Sequence, residues 1–202
     1  MLNSILFLIP FLFFIHCSTF LLGERPTVNP KVSKFEKDIS YELIGWKGKE
    51  NRIKATSILD TFEKSKKFKS LSYANSTNSE WKIQIVLDES PQLAILLGEP
   101  VQPVSWVAEK RPGRYTLYLL NRVLSAATRL VLPIFQVREE RITFRIWKDN
   151  LKKGEYIYPV ETIRAIGWIS FILMFYDDKK EIESIYSDYT LKFLNDSETL
   201  YE

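Results

Sequence analysis

Apolar residues recur at helical spacing in two stretches of the chain. The first predicts a helix over residues 52–67 with Asn51 as its N-cap and with an inward face formed by Ala55, Ile58, Leu59 and Phe62. The second predicts a C-terminal helix over residues 179–194, with a stripe formed by Ile182, Ile185, Tyr186, Tyr189 and Phe193. Asp178 stands three residues before Glu181, which is the spacing of a capping box at the start of this helix.

Other segments have the two-residue period of strands. Residues 81–88 alternate apolar and mainly polar side chains, which predicts a half-buried strand. Residues 41–46 and 68–73 are shorter candidates, and residues 141–147 and 155–160 predict a hairpin with a longer loop. We therefore predict an α+β fold, in which an antiparallel sheet packs against the amphipathic helix and the C-terminal helix.

Two further apolar segments allow more than one interpretation. Residues 115–137 form either a helix or a buried pair of strands; as a helix, they would carry one apolar face made of Leu117, Leu120, Leu124, Ala127 and Val131. A membrane-spanning helix is disfavoured here because two arginines near mid-span cost about 2.5–3.5 kcal/mol each. Residues 163–176 favour a buried element or an interfacial segment, since their uncharged run is too short to cross a bilayer.

The N-terminal residues are the longest uncharged stretch. Residues 2–22 contain no charged side chain, which is typical of the hydrophobic region of a secretory signal. An uncleaved membrane anchor is the alternative, because about 20 apolar residues span a bilayer. We predict a signal peptide or anchor over 1–16, a tether over 17–38 that contains two prolines, and one α/β envelope domain over 39–202.

The end of this leader resembles the lipobox of bacterial lipoproteins. It reads Phe14-Ile15-His16-Cys17-Ser18, and a histidine before the cysteine is most similar to spirochaetal lipoproteins. The resemblance implies that Cys17 is lipidated and becomes the mature N-terminus. Ser18 in the next position implies the outer membrane.

Two weaker resemblances concern the rest of the chain. The apolar stretch 126–133, which ends in Pro133, and the strand around Tyr156 and Tyr158 resemble uncharacterised bacterial envelope lipoproteins. Residues 41–88 look like the N-terminal α/β domain of the Tol-system translocation protein and of transporter-auxiliary lipoproteins. These resemblances imply a location and a fold class, and they carry no catalytic residues.

The residue types in the chain exclude most catalytic chemistry. The only histidine and the only cysteine are His16 and Cys17, so no Ser-His-Asp or Cys-His device can be built after residue 17, and zinc loses both of its preferred ligand types. No phosphate-binding glycine motif occurs. We expect no enzyme activity, no cofactor and no metal site. The net charge of +3 is too small to indicate a nucleic-acid partner.

Four basic residues near the predicted hairpin are the candidate contact site. Arg138, Arg141, Arg145 and Lys148 form either an ordinary solvated face or a contact with anionic lipid or a protein partner. From the sequence we expect a lipid-anchored envelope protein that serves as a non-catalytic accessory or interaction module of an envelope complex. The alternative is a lipid- or membrane-interface-binding protein that uses the apolar segments 115–137 and 163–176.

Overall fold

The computed structural model describes residues 16–22, 25–28, 34–74, 79–89 and 108–200. Its longer elements are β1 (His16–Leu22), β2 (Phe35–Ile44), α1 (Lys49–Ser65), β3 (Phe68–Tyr73), β4 (Trp81–Glu89), α2 (Pro112–Ala127), β5 (Ile134–Lys148), β6 (Leu151–Gly167), α3 (Ile169–Leu173) and α4 (Lys179–Asp196). The predicted α+β class is confirmed. The predicted leader over 1–16 lies almost wholly outside the described residues.

The strands form a six-stranded sheet in the order β1-β6-β5-β4-β2-β3. β1 pairs with β6 in antiparallel fashion, whereas β2 pairs in parallel with both β3 and β4. The sheet is therefore mixed: the predicted antiparallel arrangement holds for β1 with β6 but not for β2 with β3 and β4. The chain passes through α1 between β2 and β3, and such a crossover is what a parallel pair requires.

The described chain divides into two compact units, and β5 and β6 contribute residues to both. Unit 1 comprises Met1–Leu22, Glu89–Glu139 and Glu161–Lys179, and unit 2 comprises Gly23–Asp88, Glu140–Val160 and Lys180–Glu202. The predicted tether over 17–38 contains strand at both ends, because residues 17–22 belong to β1 and β2 begins at Phe35.

Most of the buried apolar side chains that the structure describes lie in unit 2. Phe62 of α1, Phe144 of β5 and Phe193 of α4 are buried against one another, with ring centroids 4.3 Å apart for the stacked pair Phe144–Phe193 and 6.0 Å apart for Phe62–Phe193. Aromatic pairs of this kind add about 0.5–1.5 kcal/mol to the burial of their area. The helices predicted over 52–67 and 179–194 are thus confirmed, with their predicted apolar stripes facing inward at these positions.

Two glycines set where α1 begins. Gly45 and Gly48 have φ values of 86° and 88°, a left-handed conformation that side chains other than glycine rarely adopt. Gly48 is the N-cap, and the predicted cap Asn51 instead lies inside the helix and donates from Nδ2 to the carbonyl of Lys47 at 2.9 Å. The helix therefore starts three residues earlier than predicted.

Candidate functional site

Among the residues of unit 1 that the structure describes, more polar than apolar side chains are buried. In the part of this unit that the structure describes, the buried hydrophobic side chains are Ile134 and Ala165. Its buried polar side chains are Ser18, Ser125, Gln136, Arg138, Thr162 and Ser170. In water a folded unit normally buries mainly apolar side chains, so the described part of unit 1 has the reverse arrangement.

Helix α2 shows this reversal most clearly, because its polar side faces the rest of unit 1. Asn121 donates from Nδ2 to the carbonyl of Pro133 at 3.0 Å and accepts the backbone N–H of Phe135 at 2.9 Å. Ser125 is fully buried and donates to the same carbonyl at 3.1 Å. These bonds hold the helix against the start of β5, and they fix which of its sides points away.

The other side of α2 is apolar and exposed. Leu117 is 68% exposed and Val123 is 64% exposed, and with three neighbours they form a surface that we call the apolar face of α2: Leu117, Leu119, Leu120, Val123 and Leu124. At 3.6 residues per turn these positions span roughly 160° of the helix surface. The helical alternative for residues 115–137 is confirmed over 112–127, but its apolar stripe faces outward.

Other large apolar side chains of the same unit are exposed as well. Val131, Leu132 and Phe135 follow α2, and Ile172, Phe175 and Tyr176 lie in and after α3. Unit 2 has fewer large apolar side chains that are exposed, namely Ile44, Ile53, Tyr73, Leu151 and Ile157. Both apolar segments singled out in the sequence thus contribute exposed side chains to unit 1.

Cys17 belongs to unit 1 as well and lies in β1, at one edge of the sheet. Its backbone pairs with Ile166, and its sulfur accepts from Nε of Arg164 at 2.6 Å. Asp178 makes two hydrogen bonds to the outer side of β1. Its carboxylate accepts the backbone N–H of Leu21 at 3.1 Å, and its backbone N–H donates to the carbonyl of Thr19 at 3.0 Å. The residue that the lipobox resemblance marks for lipidation therefore lies within a paired strand, directly after His16, which pairs with Gly167.

The structure does not bring the four predicted basic residues into one surface. Arg138 is buried in unit 1, while Arg141 is exposed in unit 2. Arg145 donates to Glu155 at 2.6 Å, and hydrogen bonds from Lys152 and Arg145 lower the pKa of Glu155. Lys148 lies 3.2 Å from Glu80. Two of the four are therefore already paired with carboxylates, which weakens their attraction for an external anion.

Two clusters in unit 2 combine polar groups that are hydrogen-bonded to one another. Lys54, Glu140 and Tyr186 meet in the core, where Tyr186 donates to the Glu140 carboxylate. Near the end of α4, Tyr158 donates to Asp196 at 2.8 Å, and burial, strengthened by this bond, raises the pKa of Tyr158 above its usual 10.0. Within the described ranges, no group of three metal-ligating side chains occurs and no helix is long and apolar enough to cross a membrane.

The comparisons with known proteins leave the family open. No known protein-family model matches the sequence, and neither does any curated protein. Among solved structures, the chain is similar to the PelC dodecamer from Paraburkholderia phytofirmans, at 8% identity and a TM-score of 0.32 over 89% of this chain and 95% of that one. This similarity is too low to support an argument about fold or function.

Proposed function

We propose that the protein is a lipid-anchored component of the bacterial cell envelope, without catalytic activity, whose unit 1 rests the apolar face of α2 on the membrane. The observation that carries the proposal is the reversed arrangement of α2, with Asn121 and Ser125 turned inward and Leu117 and Val123 turned outward. The proposal joins the lipid-anchored envelope role expected from the sequence to its membrane-interface alternative.

The energy of burying this face supports contact with an apolar phase. Complete burial of a leucine or valine side chain contributes about 1.5–3 kcal/mol. The five side chains of the apolar face are each roughly half exposed, so covering them would contribute on the order of 5 kcal/mol. Helices with a wide apolar side and basic residues on the other side lie in the membrane interface, with the apolar side buried about 5–10 Å deep.

The position of Cys17 in unit 1 supports contact between this unit and the membrane. If the leader is removed before Cys17, the pairs from Cys17↔Ile166 to Leu22↔Glu161 remain in place. The lipid would then be attached to a strand of unit 1, with no flexible residues between the lipid and the folded unit. A thioether keeps its lone pairs, so the sulfur can remain an acceptor for Arg164.

Metabolic labelling of the full-length chain with a fatty acid tests the proposal. We expect the wild-type protein to carry the label and to fractionate with the envelope, and Cys17→Ala to lose the label. Ser18→Ala is the matched control, since it changes the adjacent residue and keeps the cysteine. An unlabelled wild-type chain in the soluble fraction would contradict the proposal.

A further inference from the structure

We propose that the short helix α3 gives unit 1 a second contact with the membrane, through a surface that we call the α3 patch: Ile172, Phe175 and Tyr176. This inference rests on the proposed function and deepens it, because the proposed function uses only the apolar face of α2. The partner is the same lipid bilayer. Hydrogen bonds join the residues around the new contact both to the turn after α2 and to the strand that carries Cys17.

The three side chains of the α3 patch are large, mainly apolar and exposed. Ile172 is 63% exposed, Phe175 is 74% exposed and Tyr176 is 73% exposed. They belong to α3 and to the 3₁₀ turn Met174–Tyr176 that follows it, and their i, i+3, i+4 spacing places them on one side of this helical segment. Residues 165–176 contain no charged side chain, so entry of the segment into an apolar phase requires no charge to lose its water.

Hydrogen bonds hold this segment against β1 on both sides of the patch. Before the patch, the hydroxyl of the fully buried Ser18 donates to the carbonyl of Ser170 at 2.8 Å. After the patch, the backbone N–H of Asp178 donates to the carbonyl of Thr19 at 3.0 Å. The two residues of β1 that make these bonds follow Cys17 directly in the chain. A lipid on Cys17 would therefore keep the α3 patch close to the bilayer.

The start of α3 is also fixed to the turn that follows α2. The backbone N–H of Trp168 donates to the carbonyl of Leu130 at 3.0 Å. A Cβ on the adjacent Gly167 would lie 2.7 Å from the same carbonyl oxygen, so glycine is what allows the two backbones to approach this closely. The α3 patch and the apolar face of α2 are therefore linked through bonded backbone, and contact of one with a bilayer brings the other near its surface.

A bilayer suits the residue types of the α3 patch. Isoleucine and phenylalanine favour the hydrocarbon region, whereas tyrosine is enriched at the level of the headgroups. Covering one such exposed side chain with lipid corresponds to about a tenfold change in equilibrium. A protein partner would also cover the patch, but a lipid on Cys17 would hold unit 1 permanently beside the bilayer. Contact through two elements also fixes the orientation of unit 1, whereas α2 alone would let the unit turn about the helix axis.

The test places one label in the α3 patch and, in a separate protein, one label on α2. Full-length Ile172→Cys and Val123→Cys proteins, whose substituted side chains are 63% and 64% exposed, are labelled with an environment-sensitive fluorophore and reconstituted into phosphatidylcholine vesicles. Because Cys17 is the only native cysteine, one label per chain indicates that Cys17 is blocked by lipid. We expect a lipid-borne quencher to act on both labels more strongly than a water-soluble quencher does.

Substitutions in the Ile172→Cys background identify the side chains responsible. Phe175→Ser should lower the ratio of lipid-contacting to water-exposed label by about tenfold, whereas Phe175→Leu stays apolar and should keep most of the contact. Leu151→Ser is the matched control, because Leu151 is 64% exposed and belongs to unit 2. These side chains are mostly exposed, so the variants should fold as the wild type does. If a variant fails to fold, the quenching of the Ile172→Cys label alone decides.

The outcomes separate this inference from the function on which it rests. A label at 172 that is exposed to water, while the label at 123 contacts lipid, overturns the second contact and leaves the membrane role of α2 intact. Labels exposed to water at both positions, or two labels per chain, overturn both. A label at 172 that is shielded from the water-soluble and the lipid-borne quencher would show that a protein segment covers the α3 patch, and would overturn the inference as well.

Discussion

Lys54 and Glu140 form a two-point ion pair inside unit 2, with the lysine Nζ 2.8 Å from both carboxylate oxygens. Lys54 is 6% exposed and Glu140 is 5% exposed, so both charges have lost most of their water. The ring of Tyr186 lies 5.4 Å from the same ammonium group. The pair connects α1 to β5, and the charge of each member compensates the charge of the other.

Removing one charge of the Lys54–Glu140 pair should therefore lower the free energy of unfolding more than removing both charges. We predict that Lys54→Met lowers the free energy of unfolding by about 3–5 kcal/mol, because it leaves the Glu140 charge buried without its cation. Lys54→Met combined with Glu140→Gln should recover most of this loss, since the amide still accepts from Tyr186. Urea unfolding measures the free energy of unfolding of the single and the double variant. Lys37→Met is the control because the side chain of Lys37 is half exposed. A stable single variant would mean that the pair is not buried in solution.

Gly45 and Gly48 offer a matched pair of substitutions. Both have positive φ, but a Cβ on Gly45 would lie 2.3 Å from the carbonyl oxygen of Leu87, while a Cβ on Gly48 would meet nothing within 4 Å. We predict that Gly48→Ala costs about 1–3 kcal/mol from backbone strain alone, because a φ of 88° with a ψ of 165° is a conformation that essentially only glycine adopts. Gly45→Ala should cost about 1–3 kcal/mol more, because the carbonyl belongs to the backbone and cannot rotate away. Equal melting temperatures for the two variants would contradict this geometry.

Tyr158 should make the protein sensitive to alkaline pH. Burial and the bond to Asp196 raise its pKa in the folded state above the usual 10.0, whereas the unfolded chain ionises at that value. Above pH 10 the unfolded state therefore binds fewer protons than the folded state, and the stability that is present below pH 10 is lost as pH rises. We predict that the urea midpoint falls above this pH in the wild type and falls less in Tyr158→Phe. Parallel curves for the two proteins would show that Tyr158 is not responsible.

Substitutions on the apolar face of α2 should behave unlike substitutions in the core. Leu117→Ser and Leu120→Ser should change the stability of the protein in water by less than about 0.5 kcal/mol, because these side chains are mostly exposed. Ile58→Ala in the core of unit 2 should cost about 2–5 kcal/mol. In vesicles, the two serine variants should instead reduce lipid contact at position 123. A large loss of stability in water would show that the face packs inside the protein.

The sequence predicted unit 2 better than unit 1. Apolar periodicity shows which side of a helix is apolar, but it does not show whether that side packs inward. For α1 and α4 the apolar stripe is also the buried side: Phe62 and Phe193 both lie in the core of unit 2. For α2 the same spacing identifies an apolar side but not the direction in which it faces. That direction is set by the bonds of Asn121 and Ser125 to the backbone around Pro133, and these contacts depend on the fold.

The local sequence pattern also could not predict the pairing of β2 with β3 or the strand β1. The parallel pairing of β2 with β3 depends on how the chain returns after α1, and no alternation within either strand encodes it. Residues 16–22 carry no charge, like the leader before them, so the sequence favoured an anchor and a tether over the strand β1. The lipidation of Cys17 and the envelope location stay predictions.

Fluorescence quenching at two exposed positions tests most directly whether the apolar face of α2 contacts the membrane. Full-length Val123→Cys and Ile157→Cys proteins, in which the side chains are 64% and 56% exposed, are labelled with the same fluorophore and reconstituted into vesicles that contain phosphatidylglycerol. We predict that a lipid-borne quencher acts mainly on the label at 123 in unit 1, and a water-soluble quencher mainly on the label at 157 in unit 2. Equal access of the water-soluble quencher to both positions would contradict the account.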